Sequence, residues 1–277
     1  MLLKHNFSKV LVVFLAFLLI FSGLVTPSSI KAEVLDKLNG VEVLANNEKE
    51  IRLKVEVDGL IGVLVQDQAT RKLTMTTFET TKSSPNLFSA NFLNNENVHQ
   101  YSLRLNDFTD NGAHITIQDQ KTGEIATYNP DENVSSFIWV IPLIEVVGAK
   151  LIEALLLVTA VVAINGMDFA KTDSIAAELR NNQKYDHYYA KIMQKDVWIG
   201  SAISESVAVT RLGSFNGDSN VTGNDVWSRS MSKAALVAKK AGGGKEPIGP
   251  EIEKEGLGFG YYYHYHTWNR VGGHSFF

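Results

Sequence analysis

Hydrophobic and polar positions alternate with a period of two over residues 50–127 of the chain. At the start of this region Ile51, Leu53 and Val55 fall on one face, with charged residues between them, a pattern typical of a half-buried β-strand. Similar short runs recur, separated by turn-forming residues, at Leu60–Gln66, Lys72–Phe78, Leu87–Phe92, Gln100–Leu105 and His114–Gln118. Six or seven such strands predict a small antiparallel sandwich or meander.

A strongly apolar segment follows, with 17 Leu, Ile, Val or Phe residues among the 28 positions of residues 137–164. Glu145, Lys150 and Glu153 interrupt it. Membrane insertion of the apolar residues contributes about −5 to −10 kcal/mol and the three charges cost about 7 to 10 kcal/mol, so the sum is close to zero. Three interpretations stay open: a marginal membrane span, a segment that inserts only on assembly or translocation, or a buried helical hairpin broken near Gly148.

The first 32 residues have the organisation of a secretory signal. Lys4 and Lys9 precede an apolar run from Val10 to Val25, and small residues lead to Ala32, after which we expect cleavage. An uncleaved membrane anchor is the alternative. The chain has no cysteine, which excludes a lipoprotein anchor and fits an exported protein that cannot form wrong disulfides.

The period changes to a helical one beyond Gly166. A first helix is predicted to be capped by Asp173 and to turn the following residues toward a core: Ile175, Leu179, Tyr188, Ile192 and Met193. His187 is then expected on the surface of this helix. A second helix is predicted to begin at Ser228 or Ser230 and to end at Gly242. Between the two helices, residues 204–212 form a short helix or strand and residues 215–224 a polar loop. The three glycines from Gly242 predict a flexible turn rather than a phosphate loop, because the Lys-Ser/Thr pair is missing.

Charge divides the 277 residues into unlike parts. The net charge of −4 is the sum of +3 for residues 1–32, −7 for 33–136, −1 for 137–166 and +1 for 167–277. We therefore predict a signal, an acidic all-β antiparallel module, a hydrophobic helical segment and a C-terminal α+β domain with these boundaries. The overall balance argues against a surface built entirely for nucleic acid, and the absence of cysteine excludes a disulfide scaffold.

The end of the chain concentrates the candidate chemistry. Three of the seven histidines, His264, His266 and His274, lie within eleven residues. In a strand, His264 and His266 point to the same face. Gly272-Gly273 predicts a turn that folds His274 back beside them.

Such a cluster suits two kinds of chemistry. Imidazoles near neutral pH can act as general base and general acid on a phosphodiester, with Arg270 holding the phosphate and Ser275 or Tyr263 assisting. The same three histidines are also a zinc-like ligand set with an open position. A third interpretation is structural: an aromatic-rich hairpin whose histidines only cover a core. Asp225 and Glu251 are candidates to orient an imidazole. Acid–base catalysis without a cofactor is the interpretation that we favour at this point, with zinc as the alternative.

The order of the parts and the C-terminal segment resemble secreted toxins of the bacterial polymorphic-toxin type, in particular an uncharacterised family of Gram-positive bacteria. The resemblance covers about residues 150–277. It depends on Ala154–Ile164, Asp196–Gly200, Ser204–Leu212, Ile248–Pro250, Tyr263–His266 and Gly272–Phe276. It implies a toxin domain with nuclease activity, in which His264, His266 and His274 are the expected functional residues and Arg211 is a weaker candidate.

We therefore expect a secreted or surface-held antibacterial toxin whose C-terminal domain is a metal-independent, histidine-dependent ribonuclease. Its expected partners are RNA and a cognate immunity protein. A charge of +1 is low for a ribonuclease, although the eight aromatic residues between Phe259 and Phe277 can stack on bases. The alternatives are a membrane-perturbing toxin that acts through residues 137–166 and a non-enzymatic cell-surface protein.

Overall fold

A computed structural model of the chain describes residues 38–79, 98–109, 111–131, 141–214, 224–252 and 262–277. The predicted signal, residues 1–32, lies outside the described residues. So do the predicted strand Leu87–Phe92 and most of the predicted polar loop, residues 215–223.

The described residues of the acidic N-terminal region form a seven-stranded antiparallel sheet in which each strand pairs with the next along the chain. The strands are β1 (Glu42–Asn46), β2 (Glu50–Val57), β3 (Leu60–Asp67), β4 (Leu73–Glu79), β5 (Val98–Thr109), β6 (Gly112–Asp119) and β7 (Ile125–Tyr128). The alternation predicted for β2 is confirmed, since Ile51, Leu53 and Val55 are buried. Of the two predicted architectures, the described strands form the meander.

Within the predicted helical segment, residues 137–166, the structure has one helix, α1 (Ile141–Val158), which packs across the meander. Residues Val161–Ile164 of the same segment are not helical and form a strand of the C-terminal sheet. The helix runs without a break through Gly148, so the helical hairpin, one of the three interpretations left open, was wrong. Its apolar residues Val147, Leu151 and Leu155 are fully buried in the same core as the inward face of the meander. Among the described helices, none has both the length and the apolar character that a membrane crossing requires.

Helix α1 can lie this close to the sheet because Gly62 of β3 has no side chain. A Cβ at Gly62 would lie 2.2 Å from Cγ1 of Val147 and 3.2 Å from Cδ1 of Leu151. Carbon atoms in ordinary contact are about 3.5 to 4.0 Å apart. The glycine therefore sets the distance between the helix and the sheet.

In the part of the C-terminal region that the structure describes, a mixed sheet of eight strands packs with three helices, which confirms the α+β class at this level. The strands are β8 (Val161–Ile164), β9 (Met167–Lys171), β10 (His187–Met193), β11 (Asp196–Ile203), β12 (Val226–Ser228), β13 (Ile248–Glu251), β14 (His264–His266) and β15 (Ser275–Phe276). Their order in the sheet is β13-β14-β15-β12-β10-β11-β9-β8, and only the β12–β15 pairing is parallel. The helices are α2 (Thr172–Asn181), α3 (Glu205–Gly213) and α4 (Met231–Ala241).

The first predicted helix was wrong in both its start and its length. Helix α2 begins at Thr172, with Asp173 in its first turn rather than at the cap, and it ends at Asn181. Tyr188 and Met193 belong instead to strand β10, as does His187. The strand forms because β10 pairs with β11 and β12 on its two sides, and a spacing of five residues puts Tyr188 and Met193 on its opposite faces. Both faces are buried, with Met193 in the core that contains α1 and Tyr188 in a second core with α2, whereas Ile192, also predicted to face a core, is 41% exposed.

The other two helical predictions agree with the structure. Ser204 caps α3, its Oγ accepting a hydrogen bond from the Val207 backbone N at 3.3 Å. Ser230 caps the start of α4, and Gly242 is the C-terminal cap that follows its last residue, Ala241. The three glycines that follow α4 form a turn.

The two sheets share a core. Phe169, Met193 and Trp198 of the C-terminal sheet are buried together with α1 and the meander. A buried hydrogen bond from Gln66 Nε2 of β3 to the Val161 carbonyl, 2.9 Å long, joins the two sheets directly. An ion pair between Lys191 and Asp107 at 2.8 Å adds a second link. The C-terminal sheet therefore folds against the meander rather than apart from it.

Candidate functional site

The strand pair β14–β15 holds the three histidines. Its register places His264 opposite Phe276 and Tyr265 opposite Ser275. Because side chains alternate along a strand, His264 and His266 share one face, while Tyr265 on the other face packs against the helical core beside α4. The predicted strand and the predicted return of His274 beside it are both confirmed.

The return depends on Gly272. Its φ is +98°, a left-handed conformation that other residues rarely adopt. A Cβ at this position would lie 1.7 Å from the Leu212 carbonyl oxygen, and the neighbouring Gly273 N donates a 3.1 Å hydrogen bond to that same oxygen. The turn is therefore hydrogen-bonded to the end of α3, and this contact fixes the position of His274.

The three imidazoles meet in one cluster. The ring centroids are 5.0 Å apart for His264 and His266, 5.0 Å for His264 and His274, and 4.8 Å for His266 and His274. Each ring offers a nitrogen atom within 4.8 Å of those of the other two, so the group could hold a metal ion. His264 and His266 are at least nine-tenths buried, whereas the His274 side chain keeps 25% of its exposure.

A carboxylate fixes the orientation of His274. Asp225 Oδ1 accepts two hydrogen bonds of 2.8 Å, one from the His274 ring Nδ1 and one from the His274 backbone N. On the first histidine, Nδ1 of His264 donates to the Tyr262 carbonyl at 3.2 Å. With both Nδ1 atoms hydrogen-bonded in this way, Nε2 is the ring nitrogen that each of these two histidines can offer to a ligand.

Glu251 supplies the second carboxylate of the site. It ends strand β13 and pairs with His264 across the sheet. Its Oε1 lies 3.1 Å from Nε2 of His266 and 3.9 Å from Nε2 of His264. Arg270 donates to both of its oxygens, at 2.7 and 2.9 Å, and this hydrogen bonding holds the pKa of Glu251 below its usual value.

The surroundings of His266 keep it uncharged. Burial, together with repulsion from His274 and His264, lowers the pKa of its imidazole to about 4. At neutral pH this ring is therefore a neutral imidazole.

The predicted site residues are not all in contact with the cluster. The structure brings together His264, His266 and His274, and places Arg270 at their edge through Glu251. Arg211 lies behind the site: its buried Nε donates to the Asp225 carbonyl at 2.9 Å, and its guanidinium lies 4.9 Å from the centroid of the Tyr189 ring. Arg211 thereby supports the residue that orients His274.

Two residues named as assistants point elsewhere. Ser275 Oγ is buried and donates to the Ala234 carbonyl at 3.0 Å, and the Tyr263 ring stacks on Phe277 with centroids 6.2 Å apart. Asp225 and Glu251, which were named only as distant candidates, are instead in direct contact with the histidines. Spacing along the chain gave no signal for them, since they lie 49 and 13 residues from their nearest histidine partners, His274 and His264.

Comparison with known proteins yields no match: no protein-family model fits the sequence, and neither curated proteins nor solved structures give a significant match. The resemblance to polymorphic toxins therefore stays a prediction from the quoted residues, and the function is inferred from the site itself.

Proposed function

We propose that the C-terminal region, residues 167–277, cleaves phosphodiester bonds of RNA at the three-histidine cluster. The observation that carries this proposal is the convergence of His264, His266 and His274 between two carboxylates, Asp225 and Glu251. A general base beside groups that stabilise developing negative charge is what phosphodiester cleavage requires.

The groups on the exposed side of the cluster are those that can contact an RNA substrate, so the catalytic roles are assigned to them. Glu251 and Arg270 lie there with the partly exposed His274. In the proposed reaction, Glu251 takes the proton of the ribose 2′-hydroxyl, whose oxygen attacks the adjacent phosphorus. The bond to the 5′-oxygen breaks, this oxygen takes a proton from water, and Glu251 returns its proton to the hydroxide that is left. His274, the partly exposed ring of the cluster, is the histidine that meets the phosphate, and Arg270 both positions Glu251 and faces the incoming phosphate.

Aromatic side chains near the site favour single-stranded RNA. Trp268, in the turn after β14, keeps 43% of its exposure, and the Lys245 ammonium lies 3.5 Å from the centroid of its ring. Stacking of an unpaired base on such a ring contributes about 1 to 3 kcal/mol. This contact compensates in part for the small net charge of the region.

We place this activity in an exported antibacterial toxin that acts on RNA of a competing cell, with a cognate immunity protein in the producer. The predicted signal at residues 1–32 and the resemblance of the C-terminal segment support this context. The alternative, membrane perturbation through residues 137–166, would require α1 to leave the core that buries Val147, Leu151 and Leu155.

The test uses residues 33–277, because the C-terminal sheet shares its core with the meander. This chain is induced in the bacterial cytoplasm beside two variants, His266→Ala and the control His99→Ala on strand β5 of the meander. We expect growth arrest with degraded cellular RNA for the unchanged chain and for the control, and neither effect for His266→Ala. Arrest with intact RNA that ignores His266 would refute the proposal and favour the membrane alternative.

A further inference from the structure

We propose that His264, His266 and His274 bind a divalent transition-metal ion of the zinc class, with one coordination position open toward Glu251. This inference deepens the proposed function and rests on the same site, because it names the cofactor that supplies the charge on the phosphate. It replaces the metal-independent reaction that the sequence favoured.

The spacing of the rings matches tetrahedral coordination. A zinc–nitrogen bond of about 2.0 to 2.1 Å places the centroid of an imidazole about 3.2 Å from the ion. Two such rings at the tetrahedral angle have centroids about 5.2 Å apart. The three observed separations are 4.8, 5.0 and 5.0 Å, so all three rings already stand within about half an ångström of the required spacing.

The outer hydrogen bonds have the arrangement of a metal site. Histidine ligands usually donate the second ring N–H to a carboxylate or backbone carbonyl, which fixes the tautomer and turns the other nitrogen toward the ion. His274 makes this bond to Asp225 and His264 makes it to the Tyr262 carbonyl. A carboxylate can orient a single catalytic imidazole in the same way, but the fixing of two neighbouring imidazoles beside a third favours an ion held among them.

Burial also favours an ion over direct contact with RNA. His264 and His266 are at least nine-tenths buried, so a polynucleotide has little access to their nitrogens. An ion bound to the three rings would present its open coordination position at the exposed edge of the site. There it would polarise a phosphate oxygen, and Arg270 fixes the Glu251 carboxylate beside that position.

The ligand set selects the class of ion. Imidazole suits zinc and its first-row neighbours, whereas magnesium and calcium prefer oxygen ligands. Three protein ligands and an open position are typical of catalytic rather than structural zinc sites. Glu251 Oε1, 3.1 Å from His266 and 3.9 Å from His264, borders that open position.

The experiment measures metal binding directly on purified residues 33–277. The protein is stripped with a chelator and titrated with Co²⁺, whose visible absorption reports tetrahedral coordination, and then with Zn²⁺ in competition. We expect one ion per chain with tetrahedral bands. We also expect His266→Ala and His274→Gln to weaken binding at least about 100-fold, while His99→Ala leaves it unchanged.

Asp225→Asn provides a variant that keeps all three ligands. It should weaken binding by about 10- to 100-fold through loss of the outer carboxylate, with circular dichroism confirming that each variant is folded. Absence of bound Co²⁺ in the folded protein, or binding that ignores all of these substitutions, would overturn the metal proposal.

The metal proposal and the proposed function fail in different ways. If the stripped protein still cleaves RNA in a His266-dependent manner, the metal proposal is wrong and the function stands. If one ion binds at the histidines and the loaded protein leaves RNA intact, the site is a metal site and the proposed function is wrong.

Discussion

Replacing Gly62 by alanine tests whether α1 packs on the meander as described. The added Cβ would lie 2.2 Å from Cγ1 of Val147, more than 1 Å inside ordinary carbon–carbon contact. Either the helix or the Val147 side chain must move. Overpacking of this kind costs about 1 to 3 kcal/mol, so the Tm should fall by about 2 to 12 °C at about 2 to 4 °C per kcal/mol.

Shortening Val147 should relieve this clash. Once Cγ1 is removed by Val147→Ala, the remaining neighbours of the new methyl group are Cδ1 of Leu151 at 3.2 Å and Cβ of residue 147 at 3.7 Å. Val147→Ala alone costs about 2 kcal/mol, because it removes two buried methyl groups. The double variant should then be more stable than the sum of the two single changes predicts, by at least about 1 kcal/mol.

Urea denaturation of the purified single and double variants measures this coupling. Val146, the next residue on α1, is 44% exposed, and Val146→Ala combined with Gly62→Ala is the matched control that should be additive. A Gly62–Val147 coupling below about 0.5 kcal/mol, the ordinary error of additivity, would show that α1 does not lie on β3 and would refute the packing described above.

Three further predictions concern the C-terminal sheet. Gly272→Ala should disrupt the turn and abolish Co²⁺ binding, because its Cβ would overlap a carbonyl oxygen. The control Gly243→Ala is also at positive φ but has open space around it, so it should lower the free energy of unfolding by only about 1 kcal/mol and leave binding intact. Equal effects of the two variants would contradict the described turn. Burial raises the pKa of Asp196 from 3.8 to about 6, so the folded state favours the protonated form. The resulting stabilisation is present below about pH 4 and is lost as the pH rises through 6. Urea denaturation of the unchanged protein at pH 4 and 7 should show up to about 3 kcal/mol of this dependence, and Asp196→Asn should lack it; an identical pH profile in the variant would contradict the prediction. Arg211→Lys should lower the free energy of unfolding by about 1 to 3 kcal/mol through loss of the buried hydrogen bond to the Asp225 carbonyl, whereas lost RNA cleavage at unchanged stability would place Arg211 in the chemistry instead.

The parts of the site that the sequence predicted are those set by local geometry. Strand alternation places His264 and His266 on one face, and the glycine pair at 272–273 returns His274 to them. These rules act over a few residues, so they hold before the rest of the fold is known. The same is true of the cap that Ser230 provides for α4.

The sequence names Asp225 and Glu251 as candidates, but their contacts with the histidines could not be predicted, because distant strand pairings bring them to the site. Glu251 reaches the histidines through the β13–β14 pair, and Asp225 reaches them through β12 lying beside β15. The extended first helix failed for a related reason. Tyr188 and Met193 lie on opposite faces of β10 and both are buried. A strand that is buried on both faces shows no period of two, and its pairing with β11 and β12 is not visible in the local sequence.

The hydrophobic segment shows the same limit. Its membrane-insertion energy is near zero and therefore could not distinguish a membrane helix from a core helix. Which of the two forms depends on whether the rest of the fold offers an apolar surface on which the helix can pack. In the structure that surface is the meander, with Gly62 providing the space for Val147.

Cleavage of a fluorescently labelled single-stranded RNA by purified residues 33–277 tests the central claim most directly. With Zn²⁺ supplied, we predict fragments that end in a 2′,3′-cyclic phosphate, and a rate that falls at least about 100-fold in His266→Ala but not in His99→Ala. Intact RNA after incubation with the folded, metal-loaded protein, or cleavage at the same rate by His266→Ala, would contradict it.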